Sequence, residues 1–424
     1  MTFKHNKITI LNNIISQAFQ SGFMQIFLAS IFSYFVSFAG SIVYARLMGA
    51  YDYGVYSFAF NVISIILLVN GFGAASGILQ YVSKHYENPQ MQLSYLKLGI
   101  TNGFGFNLVL SIIIILYALF ANLPIIDAKY VLIAMAFFPI GRLYIDVFHA
   151  YLRATKQNNL LAQFAISANS LLLFTNIIGV YYWKIFGLIV ATYISYVLII
   201  LWSIYIYRFP NPFTIKSIII NYKDFISYSI YSTIGNAFSQ LVFVLDIFLL
   251  SYLIKDPIIL SSYKVASIIP FAITFIPGVI ISFFYPTFVA NIKNTVYIKY
   301  LYKKIMLSML VFSVIISLLL IILAKPIIVF IFGDNYITSI EPFRILSFGF
   351  WILASFRTIS GNILASLGHA KFSMWVNLCI MIFNLIITYY LILNYGMIGA
   401  AIGVVLVYIL SSIINTVTLF NLLK

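Results

Sequence analysis

Apolar runs too long for a soluble core recur along the whole chain. Residues 307–323 read LSMLVFSVIISLLLIIL and residues 111–120 read SIIIILYALF, neither with a charge. A helix needs about 20 mostly apolar residues to cross the hydrocarbon layer. Hydrophobic residues make up 63% of the sequence and charged residues 8%, and no water-soluble domain buries that much apolar side chain in one core. The expected fold is therefore an all-α integral membrane protein. A transmembrane barrel would show short stretches of alternating polarity instead. A secreted protein would keep a single apolar region near its start; here residues 1–7 are polar with two lysines, and no small-residue cleavage site follows.

At about 35 residues per helix and loop, 424 residues hold about twelve spans. They are expected at 20–45, 53–79, 93–120, 130–152, 159–181, 185–207, 226–253, 259–285, 305–332, 339–367, 372–393 and 397–422. An amphipathic stretch at 8–19 is expected to lie along the membrane surface before the first span. Pro270 and Pro277 make the eighth span the likeliest to bend.

Lysine and arginine set the orientation. With the N-terminus in the cytoplasm, 17 of the 24 fall at cytoplasmic ends and seven outside: Arg46, Lys129, Lys184, Lys255, Lys264, Lys325 and Arg344. Both termini are thus expected in the cytoplasm. A net charge of +15 often signals a nucleic-acid partner, but here the basic residues are mostly loop anchors and no such partner is expected. Cys379 is the single cysteine, and His5, His85, His149 and His369 are scattered, so no thiolate or histidine metal site is expected. There is no P-loop, no glycine-rich nucleotide motif and no stretch to house a catalytic domain. The expectation is a transporter without a cofactor, not an enzyme.

The widest polar break, at 208–223, holds Pro210 and Pro212 and divides the chain into expected six-helix lobes at 1–215 and 216–424. The halves echo each other. Shifted by 212 residues, KIFGLIVATYISYVL (184–198) meets GMIGAAIGVVLVYIL (396–410), with Gly187 on Gly399 and Tyr196 on Tyr408. Six spans per half gives parallel repeats about an axis along the membrane normal.

Several segments then look familiar. ARLMGAYDYGVYSFAF (45–60), DIFLLSYLIKDPIILSSYKVA (246–266), FIFGDNYITSIEPFRIL (330–346), ILASLGHAKF (363–372) and LNYGMIGAAIG (393–403) resemble the Wzx O-antigen flippases. These belong to the multidrug/oligosaccharidyl-lipid/polysaccharide (MOP) exporter superfamily. The resemblance runs in order along essentially the whole chain. It departs at Gly49, where the family often has Gly-Pro-Glu and this chain continues Ala50, Tyr51. It implies two lobes around a cavity, in the bacterial inner membrane. The implied substrate is an undecaprenyl-diphosphate-linked oligosaccharide, flipped to the periplasmic leaflet by alternating access. Implied partners are membrane lipids, a proton or Na⁺ as coupling ion, and a polysaccharide polymerase of the same pathway. Two alternatives stay open: an ion-coupled drug antiporter of the same superfamily, and a polysaccharide polymerase or ligase. The first should carry buried acids rather than arginines, and the second a large outer loop.

Ionisable residues inside a span cost several kcal/mol unless they face protein or water. Arg142, Asp146, His149 and Arg153 are spaced 4, 3 and 4 residues apart, within about 60° on one helix face. A purely structural Arg–Asp pair is the simpler alternative. The functional expectation is a cationic cavity wall, since the planar guanidinium forks onto a diphosphate. Arg357 and Arg46 complete the expected cationic set, with lipid-headgroup contact as the plain alternative for Arg357. Asn236 and Asp246 share the seventh span with Ser229, Ser232 and Ser239, and Lys264 is expected to anchor the next span or pair with Asp246. With Asp146 and His149, Asp246 is a candidate ion carrier. Serines 30, 33, 37 and 41 line one face of the first span, and Asn159, Gln163, Ser167 and Ser170 one face of the fifth. Ser373, Asn377, Asn384 and Thr388 share a face of the eleventh. Such faces suit either sugar hydroxyls or close helix packing.

Overall fold

The computed structural model describes residues 23–206, 221–241, 244–291, 294–367 and 370–423, and every regular element among them is helical. The surface stretch expected at 8–19, the central connection around Pro210 and Pro212, Lys293 and His369 lie outside the described residues.

The first half contains α1 (Phe23–Met48), α2 (Ala50–Leu67), α3 (Ala74–Lys84), α4 (Pro89–Phe120), α5 (Ala128–Ala134), α6 (Phe138–Ala154) and α7 (Asn158–Tyr205). The second contains α8 (Tyr222–Leu241), α9 (Leu245–Ile254), α10 (Pro257–Ala272), α11 (Phe275–Ala290), α12 (Thr295–Ile322), α13 (Ala324–Phe332), α14 (Ile340–Ile352), α15 (Thr358–Ser366) and α16 (Ala370–Leu422). Side-chain caps open several of them. Asn88 accepts from Met91 N ahead of Pro89, Asp256 from Ile258 N ahead of Pro257, and Asn294 from Tyr297 N. An Asn or Asp cap followed by proline at the first helical position suits the unpaired N–H groups and fixed φ of a helix start.

Among the described residues, eight helices are long and apolar enough to cross a membrane, or nine if α5 and α6, bent by 46°, form one span. Expected single spans are interrupted in several places, among them the ninth (305–332), which parts at Leu323 between α12 and α13. The second is interrupted by the short turn Asn70–Gly73, where Gly71, Phe72 and Gly73 all have positive φ. The fourth bends between α5 and α6. The seventh divides into α8 and α9, so Asp246 heads a new helix rather than extending the face of Ser229 and Ser232. The proline-bearing eighth span parts between Ala272 and Phe275, yet 257–281 still reads as one span.

The two longest helices fold back on themselves. In α7 the turn is at Lys184 (φ 49°, ψ −125°), and in α16 at Gly396 (φ 55°, ψ −131°). Thr192 donates to Asn176 at 3.1 Å, although 16 residues of straight helix would separate them by about 24 Å. A Cβ on Gly187 would sit 1.8 Å from Gly179 O, and one on Gly399 2.0 Å from Leu391 O. Backbones this close exclude any side chain, the small-residue contact usual between membrane helices. The two turns lie 212 residues apart (396 − 184), the shift that aligns the sequences.

One end of the bundle is closed by contacts between the halves. Gly54 packs against Pro257, where a Cβ would lie 1.9 Å from the carbonyl oxygen. Tyr336 Oη donates to Ala45 O at 2.9 Å, and Tyr117 hydrogen-bonds Tyr252. Lys184 meets Asp52 at 3.1 Å at this same end. Phe58, Ile63, Tyr263, Phe343 and Phe350, at most 1% exposed, fill the core beneath.

Candidate functional site

Away from the closed end, α1, α3, α6 and the first arm of α7 splay around a cavity of 770 Å³. Its walls differ in chemistry. α6 presents Arg142, Asp146, His149 and Arg153 on one face, and all four line the space. α1 contributes Ser30, Ser33, Tyr34 and Ser37, α3 contributes Ser76, and α7 contributes Asn169 among alanines and leucines.

Arg142 Nε lies 3.1 Å from Asp146 Oδ1, with side chains 51% and 31% exposed. The pair therefore faces open space. Asp146 is held from behind as well: Asn70 Nδ2 donates to its Oδ2 at 3.0 Å. His149 sits edge-on to Phe164, ring centroids 5.4 Å apart. Arg153 is exposed in the last turn of α6, at the cavity mouth. On the facing wall Ser30 and Ser33 donate to the carbonyls of Ile26 and Ala29, both at 2.8 Å, and Asn169 Nδ2 donates to Ser33 Oγ at 3.0 Å. Hydroxyls whose protons are used within their own helix still offer lone pairs to a ligand. The cavity thus has one charged wall carrying two guanidinium groups and one wall of hydroxyl and amide groups, a division suited to an anion joined to a polyhydroxylated body.

Residues 19–292 match the family described as polysaccharide biosynthesis protein. The chain belongs to that family. No curated protein sequence matches it. Among solved structures, the lipid II flippase MurJ in an inward closed conformation is similar, with TM-score 0.75, 17% identity, and 93% of this chain and 87% of that chain covered. An inward-facing multidrug resistance MATE family transporter of the MOP superfamily gives 0.74, with 13% identity and 92% and 95% covered. An outward-facing structure of the same description gives 0.61, with 15% identity and 95% and 96% covered. The family match agrees with the polysaccharide-export resemblance read from the sequence motifs, and the fold is the one these MOP and MurJ structures share.

The other expected residues of this family member lie away from the cavity lining. Arg46 is exposed in the last turn of α1. Asn236 is exposed on α8. Asp246 is buried, 1% exposed, and accepts from Tyr263 Oη at 2.6 Å. Lys264, the residue after that tyrosine, makes no close ion pair with Asp246 among the described residues, but its charge acts on the carboxylate. Arg357 is in the second half. It closes a π-helical turn at Leu353–Arg357 and lies 5.1 Å over the Tyr408 ring. Asn159 and Gln163 on α7 are exposed away from the cavity, and the polar residue that this helix presents is Asn169. On α16 Thr388 donates to Asn384 at 2.7 Å beneath Gly403, a packing contact.

Asn70, Asn107 and Asn169 are polar site residues that the sequence pattern did not single out. Each is an amide inside an apolar run, and the Asn-Gly dipeptide at 70–71 is a turn signal that marked the break in the second span.

Proposed function

We propose that the protein flips an undecaprenyl-diphosphate-linked oligosaccharide, a surface-polysaccharide repeat unit, from the cytoplasmic to the periplasmic leaflet of the bacterial inner membrane. The observation that carries this is the α6 wall of the cavity, where Arg142 and Arg153 face open space opposite a hydroxyl and amide wall. In this proposal both termini are cytoplasmic and the chain crosses the membrane twelve times, with both arms of α7 and α16, the α5–α6 pair and the α8–α9 series each counted as a span. The cavity then opens toward the cytoplasm and the contact of Gly54 with Pro257 seals the periplasmic end. The two lobes, 1–215 and 216–424, rock about that cavity.

The chemistry follows from the groups present. The diphosphate takes the guanidinium forks, which stay charged and offer paired donors. Sugar hydroxyls exchange hydrogen bonds with Ser33 and Asn169, and the polyprenyl tail remains in lipid. Asp146, His149 and Asp246 are the candidate carriers of a coupling proton or Na⁺, and a polymerase of the same pathway consumes the flipped unit. A cationic drug fits this cavity poorly, since its carboxylate is paired and two arginines repel a cation.

The test is Arg142→Ala, with protein abundance and surface polysaccharide measured together. Export is expected to be lost at unchanged abundance, and Arg142→Lys to restore it in part, because a point charge replaces a fork. Normal export by a well-expressed Arg142→Ala protein overturns the assignment. Cysteine labelling at 208–223 in a Cys379→Ser background tests the orientation, and periplasmic labelling there reverses it.

A further inference from the structure

The cavity carboxylate is wired to a broken helix that holds the two halves together. Asp146 Oδ2 accepts from Asn70 Nδ2 at 3.0 Å, and Asn70 Oδ1 accepts from Asn107 Nδ2 at 2.7 Å. The same Asn107 amide donates to Pro139 O at 2.7 Å, and its Oδ1 accepts the Gly71 N–H at 2.8 Å. Asn107 is fully buried, with both Nδ2 hydrogens donated and its Oδ1 accepting one bond. It pins two helix breaks at once: the turn at 70–73, and the bend that precedes α6 and its arginine stripe.

The turn is an unusual one. Gly71, Phe72 and Gly73 have φ of 57°, 50° and 78° in succession. Phe72 is not a glycine, and such backbone persists only where its surroundings over-determine it. Immediately beyond, the chain packs directly on α8. A Cβ on Gly73 would meet Ser229 O at 2.2 Å and Thr233 Oγ1 at 2.1 Å, and one on Gly77 would meet Ser229 Oγ at 2.2 Å. Ser229 is 1% and Thr233 6% exposed as a result.

We infer that Asn70 and Asn107 are positioning residues that relay occupancy of the Arg142–Asp146 pair to the turn at 70–73, and so to the contact between α3 and α8. An anion seated on Arg142 competes with Asp146 for the guanidinium and repels the carboxylate. The displaced carboxylate carries Asn70 with it, because that amide donates to it. Asn70 then releases Asn107, and Asn107 releases the Gly71 N–H. The turn loses the bond that fixes it, and α3 is free to part from α8. Two packed arrangements joined by a hydrogen-bond chain are what coupling between a ligand and a gate requires.

The inference rests on the proposed binding of a lipid diphosphate and is tested apart from it. The protein, with Cys379→Ser and either Ser229→Cys or Thr233→Cys as a buried reporter, is placed in phospholipid nanodiscs. Alkylation by N-ethylmaleimide is timed with undecaprenyl diphosphate or with neutral undecaprenol, and binding of labelled undecaprenyl diphosphate is measured on the same samples. The diphosphate is expected to change the reporter rate by about fivefold or more, the lower range of coupling between sites, and undecaprenol to leave it unchanged. Asn70→Ala and Asn107→Ala are expected to abolish the response while binding persists. Exchanging the pair, Asn70→Asp with Asp146→Asn, preserves donor and acceptor across both contacts but removes the carboxylate that the anion displaces, and is expected to keep the parent's basal alkylation rate while losing the response. Absence of binding in the otherwise unmodified protein refutes the flippase proposal. Binding with a response that survives Asn70→Ala and Asn107→Ala, or binding with no response at either reporter, refutes the relay alone.

Discussion

Asp146 and Asp246 are carboxylates on apolar helices, one in each half of the chain, in opposite surroundings. Asp146 borders open space, pairs with Arg142 and accepts from Asn70. Asp246 is enclosed, accepts from Tyr263 through Oδ2, and its Oδ1 has no hydrogen-bond partner among the described residues. A carboxylate that faces a cavity can exchange partners when a ligand arrives. One that is 1% exposed, held by Tyr263 with the charge of Lys264 nearby, cannot do so unless the packing opens. Under the proposed function, the contrast places substrate contact in the first half and a structural or ion-carrying part in the second.

The largest effect is expected at the enclosed acid. Asp246→Ala leaves the Tyr263 hydroxyl buried without its acceptor and creates a void, costing about 3 kcal/mol or more. Thermal melting of the purified protein should show a large drop, and Asp246→Asn, which keeps an acceptor for Tyr263, should recover most of it. Equal melting of Asp246→Ala and the parent protein would erase the contrast.

The matched turns come next. Gly396→Ala forces a side chain into a positive-φ conformation and is expected to cost about 1–3 kcal/mol. Lys184→Gly relieves that strain at the equivalent turn and loses only the exposed Asp52 pair, so its melting temperature should rise. Shifts of the same sign at both sites would show that the turns are not equivalent.

Asp146→Ala should cost only about 1 kcal/mol in melting, because its partners reach open space. Its effect belongs instead in the diphosphate response. The smallest change is expected for Glu341→Gln. The Glu341–Arg344 pair is exposed, 2.7 Å apart, and worth under about 0.5 kcal/mol.

Much of this was legible in the residues. The apolar runs set the membrane class, and the 4, 3, 4 spacing of Arg142, Asp146, His149 and Arg153 put them on one face that does line the cavity. The 212-residue echo recurs as the same turn at Lys184 and Gly396. Other readings failed where a helix broke or turned. The seventh span was read as continuous, which attached Asp246 to the face of Ser229. Asp246 takes its hydrogen bond from Tyr263, a partner the sequence did not offer, with the charge of Lys264 acting beside it. On α7, unbroken at this point, Asn159 and Gln163 lie outside the cavity lining and Asn169 is what reaches it.

By itself the sequence determined that the chain lives in a bilayer, that it is helical, and that its halves repeat. Those properties depend on local composition and spacing, because a backbone in hydrocarbon must satisfy its hydrogen bonds within each helix. Only the tertiary structure decided which polar residues meet. Asn70, Asn107 and Asp146 come from three separate helical stretches and converge only after two helices break. In α4, apolar on most sides, hydrophobicity gives no preferred inward face and contacts with the neighbouring helices select it, whereas the polar stripe of α6 was legible in its spacing.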